Sequence, residues 1–438
     1  MKKQATMIGA IGLIIGLLTV SVSYAGEIDL LLEKLVDKGV LTGAEAQQVK
    51  YETQEKVKKE IATGKSDSMP KWIQNMKLKG DLRLRYQYKH DKNITNNITQ
   101  DTHIGRVRMR LGLDAKVNEK IMAGIGIATS SSGDPRSTNI SFGSSDDGYS
   151  TKFGIRLDYA YAKYEPLSWL TLVGGKMLLS DVLWEPTDLI WDTDITPEGV
   201  VIGFKKSINP ETSVFMQTGG LVMKADSAST TASSNESHPP MAYMLQAGAT
   251  HKFNDTFSLK GGLAMYNFSN VKGSKASKFS SASNTGISKS GSTVSGNYTY
   301  NYNMLNPGLD LTINDPFKAI GLNIESAKLF GEYVHNMAAP DKNNGFSTGF
   351  QFGNSRVEKW GDWQFKYIYA MLGKDAVLDV LPDSDRYGGK TGIRSHEGIF
   401  TFGLGKNTSL GLDIYRSWSI LGAKKPETLV QLDWNMRF

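Results

Sequence analysis

The sequence predicts an all-β chain: a transmembrane, antiparallel, up-and-down β-barrel of about 16 strands, preceded by a short α-helical hairpin. Three observations carry that expectation. From residue 72 onward, apolar and polar residues alternate with period 2 through about sixteen segments, most near the roughly ten residues that a tilted strand needs to cross a bilayer. The links between segments alternate between short polar turns and long loops rich in Gly, Ser, Asp and Asn. An up-and-down barrel produces that alternation, with turns at one rim and loops at the other; a soluble sandwich has no reason to. Finally, the last segment alternates Val430, Leu432, Trp434, Met436 and Phe438 with Gln431, Asp433, Asn435 and Arg437, and stops on the aromatic.

Composition narrows the class. The chain has 438 residues, 50 Lys and Arg against 44 Asp and Glu, and no cysteine. Without cysteine there is no disulfide scaffold, thiolate zinc site, thiol nucleophile or lipidated N-terminal cysteine. High glycine (45) with low proline (13) does not fit a disordered, collagen-like or proline-rich chain. The net charge of +6 is spread along strands rather than pooled on one helix, so no nucleic-acid partner is expected.

The N-terminus reads as an address. Lys2 and Lys3 precede an apolar run from Met7 to Val20, and Ser23-Tyr24-Ala25 has the small residues of a cleavage site; residues 1–25 are expected to be a signal peptide. Beyond them no apolar run is long enough for a spanning helix, so membrane residence must come from strands. Residues 26–65 predict a helical hairpin. Ile28, Leu31, Leu32, Leu35 and Val36 form one stripe, Gly39 suits a left-handed cap, and Thr42 to Glu45 has capping-box spacing. The second helix carries only a thin apolar stripe, compatible with an oligomer seam or a solvated surface. Residues 64–70 read as a polar linker, and 72–438 as the barrel.

The expected strands are 77–88, 103–117, 121–131, 153–165, 168–178, 199–206, 211–223, 241–253, 256–268, 299–313, 325–337, 346–353, 361–372, 393–405, 408–417 and 427–438. Segments 211–223 and 325–337 alternate poorly, and Pro307 inside 299–313 predicts a bulge or a later start, so counts of 14 or 18 stay open. The long loops are expected at 89–102, 132–152, 179–198, 224–240, 269–298, 338–345 and 373–392. Trp72, Tyr86, Tyr88, Tyr164, Trp169, Trp360, Trp363 and Trp418 gather near segment ends, where ring side chains with a polar tip favour the lipid–water boundary.

A signal peptide, a hairpin of the form Leu-Leu-Glu-Lys-Leu-Val-Asp-Lys-Gly-Val-Leu-Thr (31–42), the stretch Trp191-Asp192-Thr193-Asp194-Ile195-Thr196-Pro197-Glu198-Gly199 and a strand-borne terminal Phe together resemble the "putative porin" family of Gram-negative bacterial outer membranes. The resemblance implies a passive pore for small hydrophilic solutes or ions, set in a lipid bilayer, delivered by barrel-insertion machinery that reads Val430 to Phe438, with the hairpin in the periplasm. It implies no cofactor and is compatible with a homotrimer.

The chemistry of a pore is expected at two places. Arg83, Arg85, Arg106, Arg108 and Arg110 share one face of two adjacent strands, and five guanidiniums on one wall need water or carboxylates opposite. The third long loop supplies Asp181, Glu185, Asp188, Asp192, Asp194 and Glu198, with Trp184 and Trp191. In the general porins that this layout resembles, the third loop narrows the lumen. The expectation is an arginine ladder facing an acidic constriction loop, with anion bias open. The alternatives are an anion-biased ladder without loop pairing, and separately solvated charges.

The six histidines show neither HExxH nor HxH spacing, so no zinc site is expected, and no GxSxG elbow is present. Asp192-Thr193-Asp194 and Asp383-Ser384-Asp385 lack the further oxygen ligands of a calcium loop. No enzyme is expected. The competing readings are a barrel hydrolase, and an adhesin or receptor using loops 224–240 and 269–298.

Overall fold

The computed structural model describes residues 31–32, 34–63, 75–93, 98–130, 134–143, 152–223, 239–279, 291–294, 296–322, 324–422 and 425–438. The chain divides into two units, Met1–Asn75 and Met76–Phe438. In the first, residues 34–37 are helical. Gly39 then takes φ +68° and donates to Val36 O at 2.9 Å, while Val40 N donates to Leu35 O at 3.0 Å, a left-handed stop. Thr42 N donates to Glu45 Oε2 (2.8 Å) and Glu45 N to Thr42 Oγ1 (3.3 Å). This capping box opens the helix Gly43–Thr63. The expected signal peptide, the linker 64–70 and Trp72 lie outside the described residues.

The second unit is a closed barrel of sixteen antiparallel strands. They are β1 Met76–Asn93, β2 Ile98–Lys116, β3 Ile121–Thr129, β4 Ile155–Leu167, β5 Leu170–Lys176, β6 Glu198–Ser207, β7 Thr212–Val222 and β8 Met241–Lys252. Then follow β9 Phe257–Ser269, β10 Tyr302–Asn314, β11 Ser326–Asn336, β12 Asn344–Gly353, β13 Trp363–Leu372, β14 Ile393–Gly405, β15 Thr408–Ser419 and β16 Pro426–Arg437. Each pairs with its neighbours in the chain, and β16 pairs back onto β1 from Asp81↔Arg437 to Asp91↔Glu427. Closure leaves no edge along these spanning rungs.

All sixteen expected segments are strands, with three differences of detail. The expected loop 89–102 is mostly strand, since β1 and β2 stay paired out to Asn93↔Ile98. Polar cross-strand contacts hold this extension, among them Lys89 to Glu427 at 2.8 Å and Tyr88 Oη to Asp101 at 3.1 Å. Of the bulge or later start expected for 299–313, there is no bulge: β10 starts at Tyr302, three residues later than expected, and its register with β11 is the same at Leu305↔His335 and Gly308↔Glu332. The proline removes a rung without moving the pairing. Finally, β7 and β11 alternate poorly because their inner faces are partly apolar. Leu221 and Val334 are buried there in the cluster that the folded-in loops join, and Phe330 lies across Gly349 of β12 with Lys366 over its ring.

Outside and inside are chemically distinct. Leu84, Tyr86, Leu432 and Trp434 are 38–48% exposed, whereas their strand neighbours Arg85, Gln431 and Asp433 are 0–8% exposed. Leu82 pairs with both Met109 and Met436 on the outer face, and Leu84 pairs with Trp434. The apolar side chains thus form the wall that faces hydrocarbon. Tyr164, Trp169 and Trp360 are exposed near the short turns, and Tyr86 and Tyr243 nearer the long-loop rim, as interfacial belts require. At the closing seam, Gly80 N donates to Phe438 O (2.8 Å) and Phe438 N to Gly80 O (3.0 Å).

Inside, Tyr159 of β4 lies across Gly112 of β2 and Gly126 of β3, and a Cβ at either glycine would overlap its ring. Aromatic cover of strand glycines fixes register and curvature. Gly126→Val is expected to destabilise the barrel by about 1–3 kcal/mol through overpacking. Gly398→Ala, whose Cβ would meet open space, is expected to stay near wild type. Urea unfolding in detergent, followed by tryptophan fluorescence, checks the pair.

Candidate functional site: a loop-narrowed lumen

The third loop, residues 177–197 between β5 and β6, crosses the barrel interior. Trp184 N donates to Gln246 Oε1 on β8 (2.9 Å), and Gln246 Nε2 donates to Trp184 O (2.7 Å). Glu185 accepts from Tyr266 Oη on β9 at 3.3 Å, and Thr187 Oγ1 donates to Glu332 on β11. At its far end, Asp194 Oδ1 accepts from Arg110 Nη1 on β2 at 3.3 Å. In a ring of sixteen strands, β2 and β8–β11 lie on opposite sides, so a loop touching both spans the lumen. Its middle is apolar: Leu189, Ile190 and Trp191 are at most 2% exposed. The Trp191 ring lies 6.1 and 6.2 Å from those of Tyr266 and Phe268.

The seventh loop, 373–392, shares that interior. Val377, Leu378, Val380 and Leu381 are buried in the same cluster as Trp191, and Asp192 N donates to Leu381 O at 2.7 Å. Arg386 ties the two loops to the wall. Its Nη2 lies 2.8 Å from Asp188 Oδ1, 3.7 Å from Asp383 Oδ2 and 2.8 Å from Glu397 Oε2. The oxygens of these three acids lie within 4.8 Å of one another, close enough for a metal ion, but the guanidinium already supplies the counter-charge. Burial acts to raise the Asp188 carboxyl, and Arg386 with Lys366 outweighs it, holding the group below the usual range. Burial, then the Asp188 charge, pushes Asp383 well above that range. The second loop joins through Arg136, 1% exposed, whose Nη1 donates to the carbonyls of Gly389 (3.2 Å) and Pro382 (3.3 Å).

The five arginines stand on one inner wall: Arg83 is opposite Arg108 and Arg85 opposite Arg106 in the β1–β2 register. Most of their counter-charge comes from neighbouring strands and the seventh loop. Arg85 Nε and Nη2 donate to Asp433 (2.7 and 2.8 Å), and Nη1 to Asp385 (3.0 Å). Arg108 and Arg110 share Asp81 at 2.8 and 2.7 Å. Arg83 meets Asn139 at 2.9 Å and Asp433 at 3.6 Å; Arg106 meets Ser141 and Gln87, each at 3.2 Å.

Of the six loop acids, Asp194 alone is recorded against the ladder, at 3.3 Å from Arg110 and 4.0 Å from Arg108. Asp188 serves Arg386 and Glu185 serves Tyr266. Asp192 accepts from Ser384 N (2.8 Å) and Asp194 N (2.9 Å), and burial, then the Asp194 charge, raises its carboxyl. Asp181 is exposed on the short helix Leu179–Val182, and Glu198 pairs with Lys176 at 2.9 Å as β6 begins.

A cavity of about 660 Å³ remains beside the third loop, lined by its Trp184 and Asp194 and by wall residues including Arg110, Lys205, Lys260 and Lys366. Asp158 lines it as well. It is the extra residue where the β3–β4 register shifts, and a bulge re-aims its side chain. The sequence reading missed the three lysines, Arg136 and Arg386. Strand phase holds the signal for the lysines, and the apolar run Ala376-Val377-Leu378 marks a loop that does not stay in water.

Arg386→Gln is expected to leave Asp188 and Glu397 without the guanidinium that joins them, at a cost of about 3–5 kcal/mol. The third and seventh loops then separate. Limited proteolysis of detergent-solubilised barrel should gain a cut within 373–392, and single-channel conductance should rise.

The sequence matches the family model described as "Putative porin" over residues 39–94, 89–318 and 308–438. A comparison with curated protein sequences returned no match. The fold is similar to that of Pseudomonas putida OprB in its high-pH structure, at 12% identity and TM-score 0.53, covering 83% of this chain and 94% of that one. The outer membrane channel DcaP of Acinetobacter baumannii gives 12% identity and TM-score 0.44, with 83% and 97% covered. A triple mutant of Rhodopseudomonas blastica porin gives 8% and 0.42, with 83% and 100% covered. With the family model matched along the barrel and a closed sixteen-strand wall around an inward-folded third loop, this chain belongs to the "Putative porin" family.

Proposed function

We propose that this protein is a passive, water-filled channel of the bacterial outer membrane for small hydrophilic solutes, narrowed by its third loop and biased toward anions. The observation that carries the reading is the loop reaching from Gln246 on β8 to Arg110 on β2 beside an open, charged cavity. An apolar outer wall with a polar inner one supports the same conclusion, because only a lumen filled with water accommodates so many ionised groups. In this reading the arginine ladder anchors the folded-in loops and leaves a residual positive wall at Arg106.

Residues 1–25 direct export, the helical segment before β1 belongs to the periplasm, and the strand ending at Phe438 is what insertion machinery reads. Trimeric assembly follows from the family resemblance. A hydrolase is less well supported: His90, His103, His251, His335 and His396 bond to Asp101, Tyr86, Thr212, Asn344 and Tyr367, and none of those partners is a serine.

Purified protein in planar bilayers is expected to give stepwise, ohmic conductance. Replacing Arg106, Arg108 and Arg110 together by Ala exposes Asp81 and Asp194, so the reversal potential in a KCl gradient should move toward cation selectivity. Unchanged selectivity and conductance would remove the ladder from any part in permeation.

A further inference from the structure

The charges around the lumen fall into two kinds. The arginines and Lys328 meet acceptors on the protein; Lys328 forms an ion pair with Asp310. Lys205 on β6, Lys260 on β9 and Lys366 on β13 line the cavity beside the third loop, and none is recorded in an ion pair among the described residues. Two of them are held by aromatic faces instead. Lys260 Nζ lies 4.7 Å from the Trp184 ring centroid and 5.1 Å from that of Phe215, and Lys366 Nζ lies 5.2 Å from that of Phe330. A ring face positions an ammonium group without forming an ion pair with it.

The nearby acids offset this only in part: Lys366 faces Asp188 and Glu397, which Arg386 holds, and Lys260 faces Asp310, which Lys328 holds. Asp194 and Asp188 are engaged by Arg110 and Arg386, and Glu185 accepts from Tyr266. Asp158 also lines the cavity, and its charge faces Arg110 and Lys176. An apolar surface lies beside the ammonium groups: the Trp184 and Phe215 rings meet edge-on at 6.0 Å. The indole is fixed against Gly262 and Gly308, whose Cα atoms let it lie close to the wall.

We propose that Lys205, Lys260 and Lys366, with Trp184 and Phe215, form a subsite inside the pore for small organic anions that pair a carboxylate with a flat apolar body. The lysines hold the carboxylate and the two rings receive the body. The subsite rests on the channel reading and specifies the solute class that reading leaves open.

The test uses full-length protein in planar bilayers, with benzoate, acetate and glucose as probes. Benzoate is expected to reduce KCl current in a concentration-dependent way, acetate to do so more weakly, and glucose at equal concentration to have little effect. The triple variant K205Q/K260Q/K366Q should keep an open channel while the half-blocking benzoate concentration rises roughly tenfold and selectivity moves toward cations. K260Q alone should move both readings in the same direction, which covers a triple variant that fails to fold. W184A should bring benzoate down to the level of acetate. Equal block by benzoate and glucose, or block in K260Q and the triple variant identical to wild type, overturns the subsite while the channel stands. A folded wild-type barrel that passes no current overturns the channel and the subsite together.

Discussion

The structure depends on the seam where β16 returns to β1. Hydrocarbon offers no partner for a backbone N–H or C=O, so a wall of strands is tolerated there only if every spanning rung is paired. Eleven residue pairs from Asp81↔Arg437 to Asp91↔Glu427 close the circle. Closure then dictates the rest. Side chains alternate across the wall, apolar ones meet lipid, and the remainder, however charged, must share the interior with water and with each other.

A barrel of sixteen strands encloses more space than wall side chains can fill. Here the third and seventh loops occupy much of it, and they bring an apolar cluster of their own that includes Trp191, Val377 and Leu378. The lumen is therefore a hybrid: a packed protein core on one side and a wet, charged passage beside it. That division explains why Val334 points inward on β11 into the apolar cluster while Arg110, Lys205 and Lys260 point inward to line the passage.

The same division sets what could be read from the sequence. Lipid imposes one rule on every outward residue, so about sixteen strands, with their order and direction, were legible from period-2 alternation, with 14 or 18 left open by the poorly alternating segments, and the terminal Val430 to Phe438 strand stood out. The rule breaks where the inner face packs on folded-in chain. There β7 and β11 lost their alternation, and Arg386 and Arg136, which each reach across to another loop, at Asp188 and at the Pro382 and Gly389 carbonyls, gave no periodic signal. The third loop's acids were visible as a composition, but their partners were not. Asp194 meets the ladder, whereas Asp188 and Asp192 face the seventh loop, because which acid meets which base depends on how the chain crosses the lumen.

Matched and unmatched charge therefore do different work. A carboxylate 2.7 Å from a guanidinium, as in Asp433 and Arg85, cancels most of the field a solute would feel and leaves a directional, bidentate tie that holds loops in place. An ammonium group resting on a ring forms no ion pair with it and reaches into water. Strand phase puts both kinds on the same inner wall, so a count of lysines and arginines says little about permeation. The acceptor standing behind each cation decides whether its charge is spent on the scaffold or presented to the passing solute.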